Sequence, residues 1–275
     1  MKRYRIFNID FDSRVRSLDP IDESWEESVK VLHKANREST VDHLRKQYGE
    51  CHLEQKVQNF IDLKAKSFSV IAFHNHLYEQ ARSAFVSCHY YPALTSVVAL
   101  GERVLNHLIL GLREEFKMSA SYKKVFKKNS FDNWKVPIDA LTEWAVLTTD
   151  AEAHFRSLWI QRNYALHFNA DVEYDARAYA LKALDTFGEI IEAQFSGFGQ
   201  HPCLFTPPGE VYIRKEWEDT PFIRLVYIPN AMKVGHKHKV ISVFPWQIED
   251  TANYDEAEIT DEQFTELRAH YQNAV

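Results

Sequence analysis

The segment Trp159-Ile160-Gln161-Arg162-Asn163-Tyr164-Ala165-Leu166-His167-Phe168 holds three side chains suited to phosphodiester chemistry: Arg162, Asn163 and His167. An imidazole moves protons near neutral pH, and a guanidinium offers a planar, permanent cation that grips phosphate oxygens in pairs. On a helix Asn163 and His167 stand one turn apart, so the amide is expected to orient the imidazole, with Arg162 on the adjacent face. Spacing alone is weak evidence. Arg and His with four to six residues between them also occur at Arg37/His43, Arg45/His52 and Arg82/His89. The Asn directly after Arg162 sets this segment apart.

The Arg-Asn-x-x-x-His pattern resembles the signature of the HEPN superfamily, over roughly residues 68–196. The order of elements is similar too: a long apolar helix, a variable connection, the motif helix and a final alanine-rich helix, Ala176 to Ala193. HEPN proteins are helical bundles that dimerise, and many are metal-independent ribonucleases of toxin–antitoxin, abortive-infection and CRISPR systems. The resemblance implies an endoribonuclease in which Arg162, Asn163 and His167 from each of two protomers face one cleft and RNA is the substrate. It also implies a homodimer, with an antitoxin or defence-system protein as a possible partner. Family motifs often continue past the His with a small residue and sometimes a Tyr. Here Phe168 and Asn169 follow, so tyrosine modification has no matching residue.

RNA needs cationic contacts, and a net charge of −6 requires them to be local. Lys123, Lys124, Lys127 and Lys128, interleaved with Tyr122, Phe126, Phe131 and Trp134, are one candidate patch; His236 and Lys237 in a polar turn are another. The plainer reading of the lysine run is a solvated face. No cofactor or metal is expected: His74/His76 and His236/His238 lack a nearby Cys or carboxylate at ligand spacing. Asp10 and Asp12 resemble the DxD of phosphoryl-transfer enzymes without a supporting loop, and read as solvent-facing. Glu102 and Arg103 interrupt the most apolar helix and read as a structural ion pair or a polar seam. The rival from another class is a noncatalytic scaffold of the same fold that binds a partner protein or nucleotide. Paired histidines in a metal hydrolase are a third reading.

The elements that would position the motif are mainly helical. Eight glycines disfavour a sandwich or a glycine-loop nucleotide fold, and 45% hydrophobic residues with 18 Phe, 13 Tyr and 6 Trp supply a core. Residues 4–12 alternate like one strand, and 23–36, 41–48 and 52–66 read as polar helices. Residues 68–90 and 92–116 read as long helices, with Leu94, Val98, Gly101, Leu105, Leu108 and Leu112 on one face and Gly101 permitting close approach. Helices over 137–168, divisible near Thr148-Thr149-Asp150, and over 171–195 complete an antiparallel bundle. Glycines and prolines over 197–209 mark a linker, and 211–217, 222–228 and 239–246 read as strands before a last helix through Tyr271. The expected class is mainly α: an N-terminal strand/helix extension (1–66), a HEPN-like bundle (67–197) and a small C-terminal α+β module (198–275). The three cysteines have no CxxC pair, no apolar run looks long enough to span a membrane, and no signal core opens the chain, so a cytoplasmic protein is expected.

Overall fold

The computed structural model describes the chain except residues 8–9, 70–73, 168–169, 197–201, 207–208, 244, 252, 255–256 and 275, and the side chains of 170 and 173. It is mostly helical with small antiparallel sheets. In chain order the elements are β1 (Lys2–Ile6), β2 (Asp10–Asp12), α1 (Glu27–Tyr48), α2 (Leu53–Asp62), β3 (Lys66–Ser69), α3 (His74–Val86) and α4 (Tyr90–Leu112). Then come α5 (Tyr122–Val125), α6 (Lys135–Glu143), α7 (Thr149–Leu166), α8 (Ala170–Tyr174) and α9 (Ala176–Ile190), which continues as a π turn, Ile191–Phe195. The remainder is β4 (Cys203–Thr206), β5 (Glu210–Ile213), α10 (Pro221–Val226), β6 (Ala231–Gly235), β7 (Lys239–Val243), β8 (Trp246–Glu249) and α11 (Asp261–Ala274).

The chain divides into two compact units, Asp10–Phe195 and Met1–Ile9 with Ser196–Val275. This corrects the expected three-part division. Residues 10–66 belong with the bundle, and the first nine residues belong with the C-terminal segment.

In the larger unit α4 is the central element, packed by α3, α6, α7 and α9. Its buried residues Leu94, Val97, Val98, Gly101, Val104, Leu105, Leu108 and Leu112 recur at three- and four-residue steps, the spacing that keeps one helical face turned inward. Gly101 is the point of closest approach. A Cβ there would stand 2.7 Å from both Leu158 Cδ2 on α7 and Trp134 Cη2. Among the described residues Tyr90–Phe116 is the one helical stretch long and apolar enough to cross a membrane, against the sequence expectation of none; 56% of its most apolar window is buried. The break expected near Thr148 is present: Thr148 caps α7 by accepting a hydrogen bond from Ala151 N–H at 3.1 Å. Residues 27–48 form one helix rather than two, and 66–69, taken as helical, are a strand paired with β2.

In the smaller unit the strands run in the order β4-β5-β1-β6, all antiparallel, with β7–β8 as a separate hairpin. Tyr4 pairs with Lys233 and Ile6 with Ala231, so the opening strand is an inner strand of this sheet and ends at Ile6. The expected strand over 222–228 is instead helix α10, opened by Pro221 after Thr220, where a proline costs no hydrogen bond. Tyr212, Val234 and Phe264 of α11 form the core. The expected linker residues 197–201 and 207–208 lie outside the described residues.

Candidate functional site

The crossing of α4 and α7 at Gly101 and Leu158 sets the geometry around the motif. Glu102 follows Gly101, and Arg162 lies one turn beyond Leu158, so the close approach brings the two side chains together. Glu102 Oε2 accepts from Arg162 Nη2 at 3.4 Å and from Trp134 Nε1 at 3.1 Å. Both partners of this ion pair are largely enclosed, with side chains 17% (Arg162) and 29% (Glu102) exposed. The Nε of Arg162 is buried and has no hydrogen-bond partner among the described residues. An unsatisfied donor of that kind is costly unless something reaches it. Nearer the end of α7, Tyr91 of α4 donates from its hydroxyl to the Ala165 carbonyl at 3.2 Å.

The helix stops at Leu166. His167 is extended (φ −103°, ψ 151°), although its N–H closes the last turn on Asn163 O. Its side chain, at the C-terminal end of the helix, stands exposed to solvent. The expected one-face pairing of Asn163 with His167 is corrected: the geometry that would align them ends one residue too early, and no hydrogen bond joins the two side chains. Phe168 and Asn169 lie outside the described residues. Around the end of α7 several rings and aliphatic groups face outward. Ile160 is 54% exposed, Tyr164 45% and Leu166 48%, with Tyr164 against Tyr179 at 6.3 Å.

Of the expected RNA contacts, Lys123, Lys124, Lys127 and Lys128 are all exposed. Their segment is anchored by Arg113, whose Nη1 donates to the Val125 and Lys128 carbonyls at 3.2 and 2.7 Å. No hydrogen bond or ion pair joins these lysines to Arg162, Asn163 or His167. Lys237 is exposed, but His236 is buried against the Tyr254 ring at 5.3 Å, and burial lowers its pKa. His236 and Lys237 do form the turn between β6 and β7, but within it the His236 ring is packed against its neighbours rather than turned outward as an RNA contact.

No protein-family model matches this chain, and neither does any curated protein or solved structure. The sequence reading missed the partner of Arg162. Glu102 stood out as a charge in an apolar helix, but nothing local pointed to a residue sixty positions on. It also took Asp10 and Asp12 for solvent-facing residues. They line a cavity of about 400 Å³ with Arg14, Lys66 and Glu79. There the nearly buried Lys66 ammonium bonds Asp10 and Glu79, while Arg14 grips Asp12, so two cations answer three carboxylates. Among the described residues no group of three His, Cys, Asp or Glu side chains is gathered as a metal site.

Proposed function

We propose that this chain is an endoribonuclease of the HEPN type that cleaves RNA by acid–base transesterification, with Arg162 and His167 from each of two protomers at one cleft. The observation that supports the reading most is the layout of α7. One helix carries a guanidinium with an uncommitted Nε and ends on a solvent-exposed imidazole. In the reaction one neutral imidazole takes the proton of a 2′-hydroxyl as that oxygen attacks the adjacent phosphorus. A second, protonated imidazole gives its proton to the departing 5′-oxygen. The guanidinium faces the charge that builds on the phosphorane. The products are a 2′,3′-cyclic phosphate and a 5′-hydroxyl, and no step is routed through a metal. Exposed Tyr164 offers a face on which a splayed base can stack.

Incubation with total RNA and with tRNA in EDTA, followed by end-group analysis, tests the reading. Wild type is expected to leave cyclic or 3′-phosphate and 5′-hydroxyl ends. Arg162→Ala and His167→Ala variants cleaving as fast as wild type would sink it. One observation favours a second reading, a noncatalytic bundle that binds a partner protein or nucleotide. Arg162 already spends one terminal nitrogen on Glu102, as a purely structural arginine would. Under that reading no wild-type cleavage is seen with any RNA.

A further inference from the structure

A second, part-open pocket lies wholly within the larger unit, between α3, α9 and the turn that joins α2 to β3. It measures about 210 Å³, and its walls include Lys64, Tyr78, Arg82, Asp185 and Gly188. Tyr78 is 2% exposed. Its ring is fixed on three sides, 5.0 Å from the Phe187 ring, with the Lys66 ammonium at 5.7 Å and the Arg82 guanidinium at 5.6 Å. The hydroxyl at its tip lies at the cavity wall, where a Cβ on Gly188 would stand 3.4 Å away. It has no hydrogen-bond partner among the described residues. The hydroxyl opens to the cavity, so the space beside it suits a polar guest that can bond it.

Asp185 is the second uncommitted group. Its carboxylate is half-buried, and no hydrogen bond or ion pair engages it among the described residues. Burial raises its pKa above the ordinary carboxylate value, against the opposing pull of Lys64. Arg82, which could have neutralised it, is committed elsewhere: its Nη1 and Nη2 donate to the Leu63 and Lys64 carbonyls at 3.3 and 2.9 Å. Those bonds hold Lys64 in a left-handed conformation (φ 56°), rare for a residue with a side chain. Across the cavity α9 widens into its π turn, whose Ile191 and Glu192 complete the wall. Both irregularities shape the cavity.

The size and the polarity narrow the guest. Pockets for drug-sized ligands run from roughly 300 Å³ upward, so this one suits something of amino-acid size. Its walls carry three carboxylates, Asp185, Glu189 and Glu192, against the cations of Lys64 and Arg82, and Arg82 is held by carbonyls, so the balance favours an N–H-rich cation over an anion. We propose that the cavity between α3 and α9 binds a small organic cation, an amine or guanidine, with the cationic group on the Asp185 carboxylate and a further N–H on the Tyr78 hydroxyl. This site is separate from Arg162 and His167 and stands whether or not the chain cleaves RNA.

Isothermal titration of the full chain with agmatine, putrescine and 1,4-butanediol tests it. Saturable binding is expected for agmatine or putrescine and not for the uncharged diol. Asp185→Asn is expected to weaken it at least tenfold and Tyr78→Phe severalfold. The phenylalanine variant keeps the ring packing and loses one oxygen, so it gives an independent answer if the amide variant unfolds. Absence of saturable binding by either cation at millimolar concentration overturns the proposal. So does equal affinity for putrescine and the diol, or unchanged affinity in the variants.

Discussion

Mild acid is expected to loosen the smaller unit through one side chain, His238. It is 0% exposed, with Nδ1 2.7 Å from the Gly235 carbonyl and Nε2 2.5 Å from Arg5 Nη1. A carbonyl only accepts, so Nδ1 carries the proton and Nε2 accepts from the guanidinium, which is the neutral imidazole. A second proton would be buried beside Arg5 and Arg268. Burial, with those cations and against the help of the Gly235 carbonyl, pushes the pKa from 6.5 down to about 4. The unfolded chain takes the proton near pH 6.5 and the folded chain refuses it until near pH 4. Between those values the unfolded state binds more protons, so stability falls as pH falls. The whole gap corresponds to about 3 kcal/mol, and the part between pH 6.5 and 5 to about 2 kcal/mol. Hydrogen exchange of β5 and β6 amides at pH 7 and pH 5, corrected for intrinsic rates, reads this directly. At pH 5 most carboxylates are still ionised, so buried histidines carry the step, and His236, whose pKa burial also lowers, adds to it. From His238 alone wild type is expected to lose about 2 kcal/mol of opening free energy, and His238→Gln is expected to show a step smaller by that amount, with only the His236 contribution left. Equal wild-type protection at the two pH values would refute the assignment of a buried neutral histidine.

Glu210 accepts from Arg268 at 2.7 and 2.8 Å and from Arg5 at 2.7 Å, and also bonds the Tyr212 hydroxyl. Replacing it with Gln leaves two guanidinium groups without their counter-charge, and about 3–5 kcal/mol of stability in the smaller unit is expected to go, measured by denaturant unfolding. Although burial opposes ionisation, Arg268 and the Tyr212 hydroxyl hold the Glu210 pKa below its ordinary value. Its stabilisation is therefore present above the usual carboxylate pKa and lost as pH falls through the lowered one. At Gly101 an added methyl would lie 2.7 Å from the Trp134 ring, so Gly101→Ala is expected to cost about 1–3 kcal/mol of packing against about 1 kcal/mol of helix propensity. A melting temperature at or above wild type would show that α7 yields freely. Thr148→Ala removes the cap of α7 and is expected to cost about 1 kcal/mol, read from the same melting curves.

Local signals in the sequence located most of the bundle. The three-and-four spacing through Leu94, Val98 and Leu105 fixed the buried face of α4, and Gly101 marked the close crossing with α7. Thr148 announced its helix start because capping is a short-range interaction. Long-range pairing was not legible in the same way. Nothing in Lys2–Ile6 indicates that its partners lie at 231–235 and near 212, and the run of alternation past Ile6 hid the end of the strand. Phe222–Ile228 carries β-branched and aromatic residues, yet Pro221 opens a helix there, so the proline was the better guide. At the site the sequence supplied Arg162 and the exposed His167, while their surroundings came from packing. Glu102 meets Arg162 only because α4 and α7 cross where they do. No hydrogen bond joins the side chains of Asn163 and His167, where α7 closes at Leu166.

Cleavage of tRNA in EDTA by wild type and His167→Ala, with the chemistry of the new ends determined, tests the central proposal most directly. Transesterification driven by His167 predicts 2′,3′-cyclic phosphate and 5′-hydroxyl termini from wild type, and a rate at least a hundredfold lower from the variant, within the usual contribution of a general acid or base. Equal rates in the two proteins, 5′-phosphate ends, or intact tRNA with wild type would contradict it.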